Sequence, residues 1–156
     1  MTQPKLSTFQ NAEGAEKFGG NPLFSWPGTL FVIYIFTAIY IVFDEKGRLG
    51  SNEDLMWAIG GPIFVYVVSG FQLNYFIVSD TQLIIKNYLF FWHTRIFEKK
   101  DISSISFGRP NRSSLSLRVY IGDSPMKSYG AGSLSRKTWN GLKERLTRDG
   151  IPIDIN

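Results

Sequence analysis

His93 is the only imidazole in the chain, and there is no cysteine. A thiol nucleophile, a thiolate metal site and a disulfide framework are therefore excluded. Zinc or copper centres that need several imidazoles are excluded with them. His93 sits in the aromatic run FFWHTRIF, where a packed or interfacial ring is expected rather than a catalyst. Ser103, Ser104 and Ser106 lie in ISSISF with no base nearby in sequence, and no pair of acids has a spacing suited to acid–base work. Gly130-x-Gly132 stands before a helix, but a dinucleotide loop would need glycine at Ser135. The other phosphate loop needs a Gly-Lys-Ser/Thr that is missing. A strand-to-helix turn explains these glycines better. No catalytic residue, cofactor site or metal site is expected, and the chain is read as a non-enzyme.

Binding is the remaining chemistry. Of 156 residues, 17 are basic and 13 acidic, for a formal charge of +4. From Asp80 onward, thirteen basic side chains face seven acidic ones. Without a nucleic-acid-binding motif this charge does not point to nucleic acid; an anionic lipid leaflet is the simpler counterpart. Lys99, Lys100, Arg109 and Arg112 are the candidate contacts for a lipid headgroup or a protein partner. A second candidate is the tip Leu89, Phe90, Phe91 and Trp92, four large apolar residues in a row. A strand alternates its faces, so a small core takes two of them and leaves two for a membrane surface or a partner.

Two apolar blocks dominate the first half. Phe18 to Phe43 carries no charge over 26 residues, and Leu55 to Ser79 carries none over 25. A bilayer core of about 30 Å takes roughly 20 apolar residues as helix, so both blocks predict transmembrane helices. The connector DEKGRLGSNED, residues 44–54, holds two basic and four acidic residues. Basic residues concentrate on the cytoplasmic side, which predicts both termini in the cytoplasm and the connector outside. The expected layout is a tail over 1–26, a two-span hairpin over 27–73 with an external loop at 44–54, and a cytoplasmic domain over 74–156. That places the chain in a bacterial inner membrane. The bilayer is then one partner, and another integral membrane protein or a second copy of the chain is the other.

After Gln72 the period shortens. Tyr75 to Val78 and Gln82 to Asn87 read as a hairpin around Ser79-Asp80-Thr81. Phe90 to Phe97, Ile102 to Phe107, the clean alternation of SLSLRVYI, and MKSYGA give four more strands. SLSRKTWNGLKERLTRDG predicts a closing amphipathic helix, capped by Ser133 or Ser135 and stopped at Gly150. Its Leu134, Thr138, Trp139, Leu142 and Leu146 share one face.

NYFIVSDTQLIIKN, RIFEKKDISSISF and the closing W-x-x-L-x-x-x-L helix together resemble the membrane-anchored bacterial PH-like (pleckstrin-homology-like) domain families. The likeness covers about Leu30 to Ile151. A glycine common in the first hairpin turn is absent, with Asn87 the nearest residue tolerant of positive φ. The resemblance implies an α+β domain of six or seven antiparallel strands closed by one C-terminal helix, behind a transmembrane hairpin. It also implies an interaction module without chemistry of its own. The expected function is a membrane-anchored accessory or scaffold subunit of a membrane protein complex; binding of anionic lipid headgroups is the alternative.

Overall fold

The computed structural model describes residues 14–42, 52–108, 115–122 and 124–154. Strand β1 (Glu16–Phe18) is followed by a 3-10 turn at Pro22–Phe24 and by helices α1 (Trp26–Val42) and α2 (Asn52–Gly70). Strands β2 (Asn74–Val78), β3 (Gln82–Asn87) and β4 (Thr94–Glu98) come next, then β5 (Ser104–Gly108), β6 (Ser116–Ile121) and β7 (Ser124–Gly130). Helix α3 (Arg136–Arg148) and the short β8 (Ile153–Asp154) close the chain.

The strands form two four-stranded sheets, ordered β1-β2-β3-β4 and β7-β6-β5-β8. All pairings are antiparallel except β5 with β8. Residues at period two supply the core from both sheets: Phe76 and Val78, Leu83 and Ile85, Leu117 and Val119. Trp139, Leu142 and Leu146 of α3 enter the same core at helical spacing. Trp139 lies 5.5 Å from the ring of Phe76 in one sheet and 5.7 Å from Phe107 in the other. One helix thus covers residues from both sheets.

The ends of α3 are chemically defined. The Ser135 side chain accepts from Thr138 N, and this cap fixes the start of the helix. At the other end Gly150 N donates to Thr147 O and Ile151 N donates to Leu146 O. Gly150 has φ +79°, the left-handed geometry that ends a helix in this double-bonded way. Leu146 and Ile151 are both in the core, so the cap also carries its usual apolar contact.

The expected transmembrane hairpin is not found among the described residues. Among the described residues no helix is long and apolar enough to cross a membrane. Helix α1 has 17 residues, about 25 Å at 1.5 Å per residue, against a hydrocarbon core of about 30 Å. Helix α2 has 19 residues but opens on Asn52-Glu53-Asp54 and contains Pro62. The charge-free blocks were longer than the helices because strands claim their ends. Phe18 belongs to β1, and the stretch after Phe71 enters β2, where burial in a sheet demands apolar residues as strongly as lipid does. The two-span reading, the inner-membrane placement and the cytoplasmic termini are corrected accordingly. The external loop expected at 44–54 falls largely outside the described residues.

The fold class changes in its strands too. Among the described residues there are eight strands against the expected six or seven, and one sheet is mixed. The additional strands are β8 and β1, which lies within the expected tail and pairs Phe18 with Phe76.

Candidate interaction surface

The tip is built by a buried asparagine. Asn87 is 3% exposed, and its Oδ1 accepts from both Leu89 N and Phe90 N at 2.9 Å. Those two N–H groups cannot then join a strand ladder, so the chain turns. Two further bonds, His93 N to Phe90 O and Thr94 N to Trp92 O, finish the turn. This is why β4 starts at Thr94 and not at Phe90, as alternation suggested. The residue read as tolerant of positive φ acts instead through its side chain, closing a local turn.

The same asparagine holds the tip to α2. Asn87 Nδ2 donates to Gly70 O at 2.8 Å and to Asn74 Oδ1 at 3.1 Å. Asn74 Nδ2 in turn donates to Phe71 O and to Gly130 O. Two buried amides therefore tie together the end of α2, strands β2 and β3, the tip and the end of β7. Gly132 N donates to Gln72 O at 2.8 Å, so the Gly130-x-Gly132 turn is bonded to the segment leaving α2.

Within the tip, Leu89 and Phe90 are half-buried while Phe91 is 77% and Trp92 68% exposed. The rings form a chain: Phe71 to Phe90 at 4.7 Å, Phe90 to Trp92 at 5.5 Å, Trp92 to Phe91 at 4.9 Å. Phe71 is exposed as well. The turn thus presents a connected aromatic patch continuous with α2.

That patch extends along the helices. Val32, Ile33, Tyr34, Ile35 and Phe36 are exposed at five successive positions of α1, and at 100° per residue they pass all the way round the helix. On α2 the exposed apolar residues include Ile59, Ile63, Phe64, Val67 and Val68. The helices meet through Phe31 and Tyr66, whose rings are 4.5 Å apart. Exposed apolar residues in this number on a folded chain are the kind of surface that interaction sites use.

The basic candidates divide. Lys99 is only 10% exposed at its side chain and is bonded to Asp149. Arg145 reaches the same carboxylate at 3.2 Å, Asp80 at 3.0 Å and Glu16 at 3.9 Å. Burial raises the Asp149 pKa, but hydrogen bonds from Lys99 and Arg145, reinforced by their charges, outweigh it and hold the carboxyl below its usual value. Lys99 therefore fastens the 3-10 turn at Lys99–Asp101 to the end of α3. Lys100 is exposed. Arg109 and Arg112 lie outside the described residues.

The residues considered for chemistry lie apart along the chain, His93 just before β4 and the serines in or just before β5. His93 is exposed at the base of the tip. Ser103 Oγ donates to Gly122 O, and Ser106 is buried in β5. Among the described residues no three His, Asp or Glu side chains gather as metal ligands do.

Sequence reasoning missed the N-terminal anchor. Phe18 is in the core, and Lys17 Nζ lies 4.7 Å from the ring centroid of Tyr75. A Cβ on Gly20 would stand 1.7 Å from Ser133 O, so only glycine lets this segment pass the loop before α3. The signal was Phe18-Gly19-Gly20, an aromatic followed by two residues without side chains. No family model matches the chain, and no curated protein matches it.

Proposed function

We propose that the chain is a non-catalytic PH-like interaction module, an accessory or scaffold subunit that holds a partner protein through the apolar surface of α1 and α2. The observation that carries this is the exposure of Val32 to Phe36 at five successive positions of α1, beyond what its contact with α2 covers. A helix that is apolar on every side is stable only when something covers it. No charge lies within α1, so the fitting partner offers apolar helix faces, packed as in a helical bundle. Two sheets sharing a core with one C-terminal helix support the PH-like part of the reading. Fold likeness assigns no ligand, so the partner is read from the helices alone.

Lys99 weakens the headgroup alternative, because its charge is already committed to Asp149.

The test is site-directed photo-crosslinking of the full chain in its native cells. A photoreactive residue at Tyr34 or Phe64 should give one discrete adduct with another protein. The same residue at Lys137, exposed on α3, should give none. Equal adduct patterns at all three positions, or none at Tyr34 and Phe64, would overturn the assignment.

A further inference from the structure

We infer that the aromatic tip of Phe71, Phe91 and Trp92 docks onto an anionic lipid surface, its rings entering the headgroup layer with no helix crossing the bilayer. The tip adjoins the surface of α1 and α2 assigned to a protein contact, but the lipid contact rests on different residues.

Three observations favour lipid over protein as the occupant. The first is ring chemistry. Phenylalanine and tryptophan side by side, exposed at the end of a turn, suit a layer that is apolar on one side and wet on the other. The second is construction. Asn87 locks the turn through Leu89 N, Phe90 N and Gly70 O, so the rings are presented already ordered and little conformational freedom is lost on insertion. The third is charge. Between Asp80 and Glu98 there is no acidic residue, while Lys86 and Arg95 lie in that stretch. Arg95 is exposed three positions after Trp92. An apolar tip whose flanking charges are all basic complements a surface of anionic headgroups, where each nearby cation adds attraction.

The experiment uses the full chain carrying Trp26→Phe and Trp57→Phe, which leaves Trp92 and the buried Trp139. It is mixed with vesicles of phosphatidylcholine and phosphatidylglycerol whose acyl chains are brominated near the headgroup or near the methyl end. Shallow bromines should quench part of the emission, deep ones less, and the quenching should vanish when Trp92→Phe is added. Trp139 emission should stay unshifted, which reports an intact core. Quenching should be weaker on vesicles of phosphatidylcholine alone, and should fall as salt screens the flanking charges. Emission from Trp92 that is indifferent to both bromine positions overturns the proposal. Shielding of Trp92 only when a partner protein is added overturns it in favour of a protein site. Equal quenching with and without phosphatidylglycerol overturns the requirement for anionic lipid.

Discussion

Removing the Asn87 side chain should release the tip from the end of α2 and destabilise the sheet beneath it. In Asn87→Ala, four polar groups lose a partner: Gly70 O, Asn74 Oδ1, Leu89 N and Phe90 N. Gly70 O keeps its bond from Leu73 N, and each group left buried with no partner at all costs about 1–3 kcal/mol. Leu89 and Phe90 are only half-buried, so water can reach their N–H groups and the four do not add. The expected loss is about 2–4 kcal/mol, a large share of the roughly 5–15 kcal/mol that holds a domain folded.

Asn87→Asp separates the two halves of the interaction. The aspartate still accepts from Leu89 N and Phe90 N but, once ionised, has nothing to donate to Gly70 O or Asn74 Oδ1. Asn74 cannot compensate by turning its amide, because its Nδ2 is already committed to Phe71 O and Gly130 O. The two N–H bonds favour the ionised form, but burial at a site 3% exposed and the two facing oxygens oppose it more strongly, so the folded-state pKa is raised above the unfolded value of about 3.9. The sign follows from linkage: the penalty is absent while the group is protonated in both states and grows as pH rises through that interval. The cost of Asn87→Asp should therefore increase as pH rises above about 4, while that of Asn87→Ala stays level. Urea unfolding checks this in a mild detergent, with Trp139 as the only tryptophan and each variant compared with its parent at the same pH. A cost below about 0.5 kcal/mol for Asn87→Ala, the ordinary range of surface substitutions, would refute the assigned role. So would a pH-independent cost for Asn87→Asp.

Two further substitutions test the core and its lock. Trp139 is 5% exposed and contacts rings from both sheets, so Trp139→Ala should cost about 3–5 kcal/mol and Trp139→Phe distinctly less; an unmoved urea midpoint for Trp139→Ala would show that α3 does not cover the core. Asp149 has a lowered pKa because Lys99 and Arg145 outweigh its burial, so it stabilises the fold above about pH 4 and loses that contribution as pH falls through the lower folded-state value. Asp149→Asn should lower the melting temperature near neutral pH and flatten its decline in acid, and a variant with the parent's full acid slope would place that slope on other groups.

The strands and the closing helix were legible because their signals are local. Leu115, Leu117, Val119 and Ile121 alternate, and all four lie in or against the core. Ser133 or Ser135 was expected to open α3 and Gly150 to end it, and Ser135 and Gly150 do so, because capping chemistry is read one residue at a time. The aromatic tip was legible only in part. Alternation required two of its four residues to be covered, and the structure does half-bury Leu89 and Phe90. It does so with a side-chain-closed turn, since a periodicity argument cannot see Asn87 capturing two N–H groups. The membrane reading failed for a related reason. A run without charge reports burial of some kind, and neither lipid nor sheet leaves a distinguishing mark on residues such as Phe76, Ile77 and Val78.

The least legible feature was also the one that fixes where the apolar helices stand. β1 and β2 are antiparallel neighbours, a relation usually made by a connection of two to five residues. Here residues 19–73 separate them, and both helices lie in that insertion. Such an insertion strains stability little, because closure entropy grows only with the logarithm of length, provided both ends are held. They are: Phe18 and Gly20 seat the first end beside Ser133, and Asn74 with Asn87 clamps the second. The three residues of β1 carry too short a pattern to announce a strand, yet without them the helices would hang from one end. The sheets thus act as a two-point mount, and the surface assigned to binding sits on an insertion whose faces can change without disturbing the core.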